Sequence, residues 1–202
     1  PADVVLLPGS KSTRMDLEHL RTQGWPGYLQ RHLRYGGCVL GVCGGFQMLG
    51  RAIHDPDGVE GEAGSTEGLN LLDMETTLAE DKQLRRVRAR LLPEGAELDA
   101  YEIHNGVTTG PALEHPLYDI EGRRDGAVSA DDQVLGGYLH GLFDTPEACT
   151  ALLERLGGVT EATVDYQQHR LRMLDRLADT VETALKTETL LATLDLSPRR
   201  VS

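Results

Sequence analysis

One cysteine in this chain stands where a cysteine can act as a nucleophile. Cys43 lies in Gly41-Val42-Cys43-Gly44-Gly45, after a short apolar run and before Phe46, Leu49, Ala52 and Ile53 at helical spacing. That pattern predicts a sharp strand-to-helix turn, with small residues two places before and two places after the cysteine. Glycines there permit a strained backbone and close approach of neighbouring chain. The first N–H groups of a helix and its macrodipole favour a thiolate, and the same donors bind an oxyanion. The plain alternative is a buried cysteine beside a tight turn.

A thiolate at such a turn needs a general acid and base within hydrogen-bond reach. The chain has seven histidines. His19, His32, His115 and His169 occupy polar helical or loop contexts and read as solvated, and His54 reads as a cap after the turn's helix. His104 and His140 each end a predicted strand. Strand carboxyl ends share one rim of a parallel sheet, where ligands bind, and on that geometry His140 is favoured over His104.

The elements that must position these residues follow from periodicity. Val4 to Leu7 is a continuous apolar run, predicting a strand buried on both faces. Short helices are expected over Met15–Arg21 and Gly27–Arg34, and Cys38–Val42 is the strand of the turn. Strand, helices, strand and helix in that order predict a parallel sheet with right-handed crossovers. Asp55 to Asn70 reads as a long surface loop. Met74–Leu78 and Leu84–Leu92 read as strands of a half-exposed antiparallel hairpin, with Arg86, Arg88 and Arg90 on a solvated face. Leu98–His104, Ala127–Ser129 and Val134–Leu139 are further strands, the last two joined by a turn at Asp131-Asp132. A helix is expected to start near Thr145-Pro146-Glu147. Tyr166–Leu194 is a long amphipathic stretch carrying Leu171, Leu174, Leu177, Val181 and Leu185 on one stripe. It is expected to pack as a helical tail, with a partner surface as the second reading.

Bulk properties narrow the function classes. Apolar residues make up 40% and charged ones 26% of the 202, as in an ordinary globular chain of one domain with an appendage. A formal charge of −12 argues against a nucleic-acid or anionic membrane surface. Three cysteines, in neither a C-x-x-C nor a zinc spacing, indicate a reducing compartment, and a cytoplasmic location is expected with no metal site. Pro8-Gly9-Ser10-Lys11-Ser12 lacks the first glycine of a phosphate loop. The chain opens on Pro1 directly into a strand and reads as a piece of something longer.

Five stretches together resemble a known family. Leu7-Pro8-Gly9-Ser10-Lys11, Gly41 to Gly50, Asp55 to Gly61, Tyr101-Glu102-Ile103-His104-Asn105-Gly106 and Tyr138-Leu139-His140-Gly141-Leu142-Phe143 occur in the order seen in class I glutamine amidotransferases. Within that class they are most similar to the glutaminase domain of cobyric acid synthases, in cobalamin biosynthesis. The tail Asp175-Arg176-Leu177-Ala178 resembles that family's ending.

The resemblance implies an α/β, flavodoxin-like fold with a mostly parallel sheet flanked by helices and a C-terminal helical tail. It implies a glutaminase domain over residues 1–160, without the family's first strand and helix, and a helical extension over 161–202. By the same resemblance, Cys43 attacks glutamine and His140 serves as acid and base. Gly44 and the loop at Gly9 and Ser10 form the oxyanion hole, while Gln47, His104, Asn105 and Gly106 hold the substrate. The acid that usually follows the histidine by two residues is replaced by Leu142, so a Cys-His dyad is expected. Glu102 is a candidate to orient His140, with a structural carboxylate as its other reading. No cofactor is implied in this domain. The implied partner is an N-terminal synthetase domain that uses ATP and Mg to amidate a corrinoid substrate. Alternatives are a glutaminase serving a cobyrinic acid a,c-diamide synthase or a cell-wall lipid amidotransferase, and a non-catalytic module on the same fold.

Overall fold

The computed structural model describes residues 2–158 and 166–185. The chain divides into two compact units, Pro1–Thr163 and Val164–Ser202. In chain order the first unit contains β1 (Val4–Leu7), α1 (Thr13–Thr22), α2 (Trp25–Arg34), β2 (Cys38–Val42), α3 (Gly44–Leu49), β3 (Ala52–Asp55), β4 (Gly64–Glu67), β5 (Glu75–Leu91) and β6 (Glu97–Thr109). A 3₁₀ turn at Pro111–Glu114 leads to β7 (Tyr118–Ile120), β8 (Arg123–Asp125), β9 (Ala127–Val128), β10 (Val134–Gly137), β11 (Leu139–His140) and α4 (Pro146–Arg155).

Two sheets share the work. The first runs β1-β2-β10-β9, with β1, β2 and β10 parallel and β9 antiparallel to β10. Both Val39 and Leu40 on β2 are fully buried, as a central parallel strand requires. Val39 packs with Leu17, Leu29 and Phe46, and Leu40 packs with Leu135, Leu152 and Leu156. The parallel sheet therefore has an apolar core on each face, shared with α1 and α2 on one side and with α4, β5 and β6 on the other. The β1 strand departs from its expected two-sided burial: among the described residues it pairs with β2 alone, and Leu6 is 44% exposed.

The second sheet runs β11-β6-β5-β3-β4, with β7 paired to β5 and β8 to β7, and among the described residues only its β3–β5 pair is parallel. Thus the parallel order is confined to the first sheet and a larger, mainly antiparallel sheet stands beside it. Instead of two short strands, residues 75–91 form one long strand with an irregularity between Thr77 and Lys82, and its hairpin partner is β6. The alternation of Arg86, Arg88 and Arg90 with Val87, Ala89 and Leu91 does set exposed and buried faces. The expected loop over 55–70 contains β4, which pairs with β3.

The second unit contains α5 (Tyr166–Leu185), on which Leu171, Leu174, Leu177, Val181 and Leu185 are exposed. The remainder of the predicted amphipathic stretch, 186–194, lies outside the described residues. No helix among the described residues is long and apolar enough to cross a membrane.

Candidate functional site

Cys43 occupies the junction between β2 and α3 with φ 54° and ψ −113°, a left-handed conformation that a residue with a side chain seldom adopts. Two bonds fix the turn: the Cys43 N–H donates to the Gly137 carbonyl at 2.8 Å, and the Gln47 N–H donates to the Cys43 carbonyl at 3.1 Å. Gly45 explains the need for a small residue after the cysteine. A methyl group there would lie 2.0 Å from the Leu7 carbonyl oxygen, so α3 reaches β1 only through a glycine. Gly41 is similarly pressed by Leu49 and the Gly45 carbonyl.

The helix after Cys43 is shorter than its apolar spacing predicts. It ends at Leu49, Gly50 turns extended (ψ −174°), and Ala52 and Ile53 belong to β3. Ile53 is buried as a strand residue, so burial alone made it look helical. His54 is accordingly no cap: on β3 its ring bonds Ser65 at 2.8 Å and Glu75 at 3.3 Å.

His140 reaches the same rim by way of β10. That strand lies parallel and adjacent to β2, so its carboxyl end comes up beside Cys43, and the chain then enters β11. Gly9 sits between the two side chains: a methyl group on it would be 3.5 Å from both Cys43 Cβ and His140 Cε1. The Cys43 thiol donates to the Ile103 carbonyl at 3.1 Å. Burial holds the His140 imidazole below its ordinary pKa, against an upward pull from the Ile103 carbonyl. Nε2 of His140 is buried and has no hydrogen-bond partner among the described residues.

These groups line a cleft of about 780 Å³ that also includes Ser10, Lys11, Gly44, Gln47, Glu60 and Asn105. The Gly44 backbone lies against the Ser10 N–H, which brings the 9–10 loop and the start of α3 to one place. Gln47 is 3% exposed, and its amide nitrogen donates to the Asn105 carbonyl at 3.1 Å and to the Tyr138 hydroxyl at 3.3 Å. It ties α3 to β6. Gly106 continues β6 beyond Asn105 and lines a second cavity of about 460 Å³.

His104 stands in the wall between cleft and cavity, its ring stacked on Tyr138 with centroids 3.8 Å apart. Burial lowers its pKa, while Glu102 and Asp125 push the other way. His140, rather than His104, shares Gly9 and Ile103 with the cysteine, and this geometry singles it out.

Other histidine and acid assignments change on folding. His32 is buried, not solvated: it packs on Gly37 and its Nε2 lies 2.9 Å from the Cys38 carbonyl. Glu102 does not orient His140. It sits opposite Leu139 on β6, 2% exposed, with its oxygens bonded to Arg85 at 2.5 Å and Arg123 at 2.7 Å. Burial alone would raise its pKa, but the two guanidinium groups outweigh that and lower it. Leu142, at the place of the usual acid, is buried.

Glu60 and Lys11 are cleft residues that motif reasoning left without a role. Glu60 is held by the Thr13 hydroxyl at 2.9 Å and the Arg14 N–H at 3.2 Å. Its loop is anchored by Asp55, whose fully buried carboxylate accepts the Val59 N–H at 2.7 Å and the Glu60 N–H at 3.0 Å. Burial pushes the Asp55 pKa up, and those donors together with Arg14 bring it below its ordinary value. The sequence signal was the acid-rich stretch Asp55–Glu60, which only the folded loop delivers to the cleft.

A parallel α/β sheet with a cysteine on its strand-to-helix turn is a nucleophile-elbow arrangement. The chain matches the CobB/CobQ-like glutamine amidotransferase domain over residues 1–148 and belongs to that family. Three solved structures are similar to this chain, and the first agrees with it in fold. One described as a glutamine amidotransferase is 15% identical, covers 77% of this chain and 79% of its own, and has a TM-score of 0.56. PurLQS from Thermotoga maritima is 15% identical over 85% of this chain and 80% of its own, with a TM-score of 0.47. A glutamine amidotransferase from the same organism is 14% identical over 92% and 74%, with a TM-score of 0.45.

Proposed function

We propose that this domain hydrolyses glutamine through a Cys43–His140 dyad and supplies the ammonia to a cobyric acid synthase reaction, the ATP-dependent amidation of corrinoid carboxylates. The observation that carries the reading is the meeting of Cys43, on its strained turn, with His140 across Gly9. The family match and the five ordered motifs support the cobalamin assignment.

In this reading the Cys43 thiolate attacks the carboxamide carbon, and the negative oxygen is received by N–H groups of Gly44 and the Gly9–Ser10 loop. His140 gives its proton to the departing ammonia, leaving a γ-glutamyl thioester, and then takes a proton from the water that hydrolyses it. Glu60 and Lys11 place opposite charges on the cleft wall, suited to the ammonium and carboxylate of a free amino acid. Gln47, His104, Asn105 and Gly106 hold the wall against which the substrate chain lies.

The test separates two half-reactions in the complete synthase. Cys43→Ala removes the only group that forms the thioester, so glutamine-driven amide formation disappears, while amidation driven by ammonium salts survives at the wild-type rate. Equal loss of both activities in a folded variant would overturn the reading.

A further inference from the structure

We propose that Tyr101 is the positioning residue for His140, holding the imidazole by its ring face in place of the missing carboxylate. This rests on the dyad reading above and names a further member of the same site. Tyr101 lies directly across from His140 in the β6–β11 register. The two rings are parallel to within 7°, with centroids 5.1 Å apart. Tyr101 is 40% exposed and lines the cleft, so its ring is available at the site rather than committed to a core.

Neither position considered for an orienting acid supplies one. Glu102 belongs to the other face of β6 and is occupied by Arg85 and Arg123. Leu142 offers no polar atom. The titratable and charged groups that surround His140 are Cys43, Lys11 and Glu60 in the cleft, His104 and Tyr101 on β6, and Asp144, whose carboxylate lies beside Gly141. Burial lowers the pKa of the imidazole, and the Ile103 carbonyl pulls it the other way.

A hydrogen-bonding acid fixes a ring by one atom. A parallel aromatic face fixes its plane, and with the backbone at residue 140 set by the strand pair, fixes where Nε2 points. The same face favours the imidazolium formed when His140 takes a proton, because the ring quadrupole is negative over its centre. Stacking asks for an aromatic side chain at 101, not for a hydroxyl.

That distinction supplies the test, made on the full chain with Tyr101→Phe, Tyr101→Leu and Tyr101→Val. Two readouts are taken: glutamine hydrolysis as kcat and KM, and Cys43 alkylation by iodoacetamide across pH, resolved by peptide mass spectrometry. General acid–base catalysis contributes about 10²–10⁴-fold, so misaiming the base in the Leu and Val variants is expected to lower kcat about tenfold or more. KM stays within about twofold, since the wall that binds substrate is untouched. The alkylation midpoint of Cys43 moves to higher pH in both, as the imidazolium that pairs with the thiolate is less favoured. Tyr101→Phe tracks the wild type in both readouts. The proposal is overturned if the Leu and Val variants also track the wild type, if Phe falls with them, or if their loss lies in KM alone. A wild type that hydrolyses no glutamine sinks the dyad's function but leaves the alkylation comparison to decide on Tyr101.

Discussion

Cys43 leaves a parallel strand that is buried on both faces and enters a helix, whereas His140 leaves a two-residue strand at the border of a mainly antiparallel sheet. Cys43 is held by backbone: a left-handed φ, a bond to Gly137 and the close approach of Gly45 to Leu7. His140 instead meets a side chain, with the Tyr101 ring stacked on it and the Gly9 backbone at its edge. A backbone-built turn tolerates almost no change in its glycines but little depends on any one neighbouring side chain. A side-chain-built pair has the opposite profile, and the two halves of the site should therefore fail in different ways.

The largest expected effect concerns the base. His140→Ala lowers glutamine hydrolysis by about 10²–10⁴-fold, the usual worth of a general acid and base. In the wild type, burial depresses the His140 pKa, so the neutral imidazole persists to lower pH and the acid limb of kcat/KM falls below the ordinary imidazole value. That limb is absent in His140→Ala. A limb unchanged by the substitution would assign the titration to another group, with His104 the first to examine.

Next comes the turn. Gly45→Ala places a methyl group 2.0 Å from the Leu7 carbonyl oxygen, and backbone on both sides leaves nowhere to move. A loss of about 3 kcal/mol in urea unfolding is expected, at the upper end of overpacking effects, with activity falling alongside. Unaltered stability would show that β1 and α3 separate more freely than their packing indicates.

The smallest effect sharpens the contrast at Glu102. Glu102→Gln should cost about 1–2 kcal/mol, since Glu102 is buried but both arginines are half exposed and can rehydrate. Its folded pKa is lowered, so its contribution is present above the ordinary carboxylate pKa and is lost as pH falls through the folded value. The difference in stability between Glu102→Gln and wild type therefore shrinks in acid, while kcat at neutral pH stays near wild type. A fall in kcat without a change in stability would return Glu102 to His140.

Much of this site is legible in single residues because local sterics carry the signal. The Gly-x-Cys-x-Gly turn, the paired helices before it and the alternating arginines of β5 each reflect interactions within a few residues. His140 does end a strand beside the turn, but that strand is β11 of the second sheet, which follows the β10 run parallel to β2. Misread positions are those where two burial patterns coincide. Ala52 and Ile53 satisfy a helical period yet belong to β3, and His32 looks polar by its neighbours yet turns inward to the Cys38 carbonyl.

The sequence by itself determined the class of turn, the cysteine that sits on it and the alternation of strand and helix that carries it, because glycine sterics and hydrophobic period act along the chain. Only the tertiary structure decided which histidine faces Cys43, which way Glu102 points and what lies on the His140 ring. A one-residue change of register on β6 exchanges Tyr101 for Glu102 across from His140, and nothing local to either residue sets that register. It is set by the β5–β6 hairpin together with the pairing of β6 with β11, a strand of the same sheet that lies further along the chain.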